Sequence, residues 1–150
     1  MNDRARTRLR EVSFSLLSEG RVIRLRADGY SMYPAIRPGS VITIEPYPAG
    51  TGPVVGEIAA WGSESGMVVH RLVRISGESG EMLCITRGDS NLYPDPPVKP
   101  EDIAGRVVKI EYRGKEKKIK SGRPCSMSYR INRAIIWFIH KTRRITNKQM

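Results

Sequence analysis

Four residues of this 150-residue chain stand in settings where nucleophilic chemistry on a carbonyl group is within reach. Ser31 lies in Ala27-Asp28-Gly29-Tyr30-Ser31-Met32-Tyr33-Pro34-Ala35-Ile36-Arg37-Pro38-Gly39, where a strand-like run enters a turn bounded by Gly and Pro. Gly29 leaves the backbone open to close approach, and Pro34 stiffens the turn after the serine. His70 sits within Met67-Val68-Val69-His70-Arg71-Leu72-Val73-Arg74-Ile75, an apolar strand-like run, and an imidazole titrating near neutrality suits general-base work. Asp89 and Asp95 fall in Thr86-Arg87-Gly88-Asp89-Ser90-Asn91-Leu92-Tyr93-Pro94-Asp95, a strand end running into a Gly-Asp turn. Taken singly, each is an ordinary turn or strand residue. Together they supply a nucleophile, a base and a carboxylate to orient the base, which is the set that acyl transfer by a serine requires.

Such a set has to be held by a rigid scaffold, and the surrounding sequence offers one. Short runs rich in β-branched residues recur at Arg21–Ala27, Val41–Glu45, Glu57–Trp61, Met67–Ile75, Met82–Thr86 and Arg106–Tyr112, separated by Gly- and Pro-rich turns. With no long helices between them, they predict a mainly β, antiparallel and partly closed domain. Ahead of them, Arg4–Leu17 reads as a short helix, with Leu9, Val12, Leu16 and Leu17 near helical spacing and Gly20 as its stop, and it is expected to pack on the domain. The predicted organisation is a helix over 1–20, a β-domain over 21–113, and a basic linker and C-terminal helix over 114–150.

In their order and separation the three segments resemble the motif boxes of the S24/S26 serine peptidases, which include type I signal peptidases and LexA-like self-cleaving proteins. The resemblance runs from about Val22 to Lys109 and implies the LexA/signal-peptidase-like fold. It also implies Ser31 as nucleophile, Met32 as a residue shaping the site, and His70 as base. Bacterial signal peptidases and LexA-like proteins have lysine at the position of His70, whereas the endoplasmic-reticulum and archaeal enzymes have histidine. Gly88-Asp89-Ser90-Asn91 resembles the family's Gly-Asp-Asn box, and Asp95 matches the aspartate of the histidine-type enzymes, with Asp89 as the alternative. Gly29, Met32, Pro34, Arg71 and Asp89 are the expected supporting residues. Many signal peptidases carry serine where this chain has Gly29, so backbone N–H groups, that of Ser31 among them, are left to bind the oxyanion. Tyr30 replaces the usual glycine.

Charge bears on partners. Residues 1–112 carry 14 Lys and Arg against 14 Asp and Glu, while residues 113–150 carry 12 against Glu116 alone, so the net charge of +11 belongs to the tail. Nucleic acid is therefore not expected as a partner. A basic helix over Tyr129–Arg144 containing Trp137 suits an anionic membrane surface, or else packs on the body. Cys84 and Cys125 stand in unlike settings and point to neither a disulfide framework nor a metal site. Neither a cofactor nor a metal is expected. No run reaches the roughly 18 apolar residues of a membrane span, and Met1–Arg10 is too polar for a secretory leader. The expected location is the cytoplasm, with peripheral contact at the inner membrane face. Three functions follow: an endopeptidase acting on a peptide or precursor protein, a LexA-like regulator that cleaves itself, or a non-catalytic binding protein. Ala49-Gly50 and Ala104-Gly105 both lie after Ser31, whereas the self-cleaving proteins place such a site before their serine.

Overall fold

Apolar and charged residues alternate along Ile23-Arg24-Leu25-Arg26-Ala27, and that period of two makes a strand with one face inward. The computed structural model describes residues 3–64, 66–78, 81–119 and 134. It places strand β1 at Ile23–Ala27, with Ile23 buried and both arginines exposed. Helix α1 (Asp3–Ser18) precedes it, and β2 (Ser40–Glu45), β3 (Ile58–Ser63), β4 (Gly66–Ser76), β5 (Leu83–Arg87), β6 (Ile103–Tyr112) and β7 (Lys115–Lys118) follow. Every pairing is antiparallel, in the order β1-β2-β6-β3-β4-β5 with β7 on β6. Over the described residues the protein is thus mainly antiparallel β, with helix α1 ahead of the sheet, as the β-branched runs predict.

Successive side chains of β3 divide between two cores. Ile58 and Ala60 join Leu17, Met32, Ile36, Ile42, Ile44, Val107 and Ile110, whereas Ala59 and Trp61 join Leu72, Cys84 and Ile103. The register slips between Thr43 and Ile44, between Ala60 and Trp61, and between Leu72 and Arg74. Each slip inserts a residue that bends its strand and increases the local twist, so the sheet curls. At the base of β3, buried Glu57 pairs with Arg106 at 2.9 Å and accepts the Tyr47 hydroxyl at 3.0 Å. Burial, and then the Glu57 charge, push the Tyr47 phenol well above its ordinary range.

Two expectations need correction. On α1, the apolar residues at helical spacing do not share one inward face: Leu9 and Val12 are 45% and 57% exposed, and the inward face runs through Arg10, Ser13 and Leu17. Arg10 turns inward because its guanidinium donates to the Ser63 carbonyl at 2.6 Å. The Phe14 ring lies over Gly62, where an added Cβ would stand 3.0 Å from it. Residues 115–118, read from sequence as the start of a linker, form β7. Arg113 (φ 49°) and Gly114 (φ 73°) both take left-handed backbone, which makes the tight hairpin that returns the chain onto β6. Pairing continues to the Ile119 N–H, which donates to Val108 O at 2.8 Å, so the β-body reaches residue 119 rather than 113. The C-terminal helix expected at Tyr129–Arg144 lies outside the described residues except for Ala134. Among those described, no helix is long and apolar enough to cross a membrane.

Leu17, 2% exposed, is the main apolar tie of α1 to the sheet. Leu17→Ala should cost about 2–5 kcal/mol of unfolding free energy, the range for emptying a buried leucine site, read from the denaturant midpoint.

Candidate active site

The Ser31 turn is anchored from below. Met32 and Ile36 are 4% and 2% exposed, and between them the Ile36 N–H donates to Met32 O at 2.9 Å. Tyr33 N–H closes the turn onto Tyr30 O, and the Tyr33–Pro34 peptide is cis. With the Met32 and Ile36 side chains in the core, the turn is held against the sheet and Ser31 is left half-buried. The Ser31 N–H takes no part in the backbone hydrogen bonds of this turn.

A second turn, following β5, clamps the first. Ser90 N–H donates to Ser31 O at 2.8 Å, and the Ser90 hydroxyl donates to Tyr33 O at 2.7 Å. The two turns approach so closely that a Cβ on Gly88 would lie 2.6 Å from Ser31 O. Asp89 fixes this second turn to β4. Its carboxylate accepts from Arg71 Nε at 2.8 Å and Nη2 at 2.7 Å, while Arg71 Nη1 donates to Gly56 O at 2.9 Å. A two-pronged pair of this kind constrains orientation as well as distance.

His70 and Arg71 are neighbours on β4 and leave it on opposite sides. Arg71 meets Asp89, and His70 meets Ser31: His70 Nε2 is 2.9 Å from Ser31 Oγ. On the other side of the ring, His70 Nδ1 is 2.6 Å from Asp95 Oδ2. Of the two candidate carboxylates, Asp95 touches the imidazole, whereas Asp89 is paired with Arg71. The His70 and Asp95 side chains are 12% and 15% exposed, so water reaches the pair little. With the carboxylate ionised it can only accept, an arrangement that asks for the proton on Nδ1 and leaves Nε2 to accept from the Ser31 hydroxyl.

The remaining expected positions fall around this line. Gly29 lines a cleft of about 720 Å³ that also touches Ser31, Met32, Ala27, Met67, Val69 and His70. An added Cβ at Gly29 would meet nothing within 4 Å, in keeping with an open approach to the serine. Tyr30 is 73% exposed and does not fill the cleft, and Pro34 is exposed on the outer side of the turn. Sequence reading missed two residues here. Thr86 Oγ1 donates to Asp95 Oδ2 at 2.7 Å, and Trp61 Nε1 donates to Thr86 Oγ1 at 3.1 Å. A threonine and a tryptophan inside apolar strands give no sign of this in one dimension.

Cys84 offers no competing nucleophile, because it is fully buried and burial pushes its thiol up from the ordinary value. Among the described residues, no three His, Cys, Asp or Glu side chains are grouped to hold a metal ion. No protein-family model matches this chain, and no curated protein matches it either.

The contact between the two turns makes Gly88 a sensitive position. Gly88→Ala should destabilise the protein by about 1–3 kcal/mol, as overpacking does. Gly52→Ala, where an added Cβ meets nothing within 4 Å, should stay within about 0.5 kcal/mol. Thermal or denaturant melts of the two variants side by side make the comparison.

Proposed function

We propose that the protein is a serine endopeptidase of the S24/S26 type, with the LexA/signal-peptidase-like fold and a histidine base. The observation that carries this reading is the unbroken line Ser31 Oγ, His70 Nε2, His70 Nδ1, Asp95 Oδ2, with separations of 2.9 and 2.6 Å, beside an open cleft. His70 takes the Ser31 proton as Oγ attacks the scissile carbonyl, and later gives it to the leaving amine. Asp95 holds the tautomer and stabilises the imidazolium. The Ser31 N–H, outside the turn's own hydrogen bonds, is the donor at hand for the oxyanion.

The strand pattern around the cleft supports a peptide as substrate. Among the described residues β1 pairs with β2 alone, which leaves its other edge open. The Met67–Val69 stretch of β4 pairs with β3 but lies beyond the reach of β5, whose pairing begins at Arg71. An extended peptide can add to an open edge of this kind through main-chain hydrogen bonds, with alternate side chains directed into the cleft. Self-cleavage has less to support it: Ala104-Gly105 is inside β6, where Gly105 pairs with Ala60 of β3. A contact with anionic membrane through the basic tail remains a proposal from sequence.

Purified protein should cleave a peptide with small residues before the scissile bond, and a fluorophosphonate should label it at Ser31. Ser31→Ala should abolish both. His70→Ala should lower kcat/KM by about 10²–10⁴-fold, the usual worth of a general base, with the fold intact by circular dichroism. Asp95→Ala should give a partial loss. Undiminished turnover in the Ser31 variant would remove the basis for the assignment.

A further inference from the structure

We propose that Trp61 and Thr86 are positioning residues that set the proton location on His70 by acting through Asp95. This rests on the peptidase reading, though the central measurement does not need it. The direction of the chain follows from what each group can do. An indole N–H only donates, so at 3.1 Å it occupies the acceptor side of the Thr86 hydroxyl. The hydroxyl's single proton is then left for Asp95 Oδ2, 2.7 Å away. Thr86 is 0% exposed, so water does not offer that proton another acceptor. A buried hydroxyl without a partner would carry a desolvation cost, which keeps this orientation in place.

The backbone holds the same pair together. Asp95 N–H donates to Thr86 O at 2.8 Å, which ties the loop after β5 back onto its own strand. Trp61 is 7% exposed and wedged among Ala59, Leu72, Cys84 and Ile103; it reaches from β3 past β4 to β5. Its indole is therefore fixed by packing on three strands, and the hydroxyl is fixed by the indole. Oδ2 of Asp95 consequently accepts from Thr86 and from His70 at once. Two donors on one oxygen prevent the carboxylate from turning, and the imidazole proton stays on Nδ1. Without Thr86 the carboxylate can rotate, protons reach Nε2 in part of the population, and that part cannot accept from Ser31.

The test uses the full chain with Thr86→Val, which keeps the shape, Thr86→Ser, which restores the hydroxyl, and Trp61→Phe. Nitrogen-15 spectra of the His70 ring report the tautomer directly. The wild type should carry its proton on Nδ1, and Thr86→Val should show a substantial Nε2–H share. In parallel, the limiting rate of Ser31 labelling by a fluorophosphonate should fall by roughly tenfold, less than loss of the base itself, with the half-saturating concentration unchanged. Thr86→Ser should return both readouts to the wild-type values, and Trp61→Phe should move both the same way by less. If Thr86→Val does not fold, Trp61→Phe decides by the same two readouts. A folded variant that keeps the wild-type tautomer, or that slows labelling with the tautomer unchanged, overturns the proposal. Wild-type protein that is not labelled at Ser31 refutes the peptidase reading instead, and leaves the tautomer comparison standing.

Discussion

Strand β4 is shared. Up to Arg71 it pairs with β3, and from Arg71 onward it pairs with β5. The exchange happens at the two residues that matter most, because His70 is the last before β5 takes over and Arg71 faces Arg87 at the end of β5. The turn that leaves β5 is therefore delivered beside β4, where Asp89 meets Arg71 and Ser90 meets the Ser31 carbonyl. An earlier exchange would cover the open edge beside His70 with β5. A later one would carry the Gly88 turn away from Ser31.

The site is polar, yet it is built against a dry core. Asp95 and Arg71 are largely shielded, and shielded charge is costly unless its hydrogen bonds are filled. Both are well supplied: Arg71 donates to Asp89 and to Gly56 O, while Asp95 accepts from His70 and Thr86. The second core, around Trp61 and Leu72, is thus the wall that supports the acid end of the line, while the first, around Met32 and Ile36, supports the serine end. His70 bridges the two from the strand between them.

Much of this was legible in the residues. Runs rich in β-branched residues, bounded by Gly/Pro turns, mark six of the strands, because such side chains pack well on a pleated, buried surface. The order of the Ser31, His70 and Asp95 segments also points to their meeting. What one dimension could not carry depends on contacts between distant segments. The inward face of α1 escaped because its polar anchor, Arg10, is satisfied by a carbonyl 53 residues away. Strand β7 escaped because four charged and exposed residues hold their place through backbone pairing and one exposed ion pair, Lys109 with Glu116, and the signal lay in the Arg113-Gly114 turn instead. Thr86 and Trp61 escaped because their roles exist only once three strands lie side by side.

The open edge of β1 has a consequence for the behaviour of the molecule in concentrated solution. An unpaired strand edge is a template for any other extended chain, including the same edge of a second copy. Arg24 and Arg26 alternate along it, with side chains 59% and 71% exposed. Both arginines are held in ion pairs, Arg24 with Glu111 at 2.7 Å and Arg26 with Asp28 at 2.8 Å, so the edge presents charged, hydrated side chains rather than an apolar ribbon. Charged side chains along an open edge discourage edge-to-edge aggregation while its backbone stays open to another extended chain.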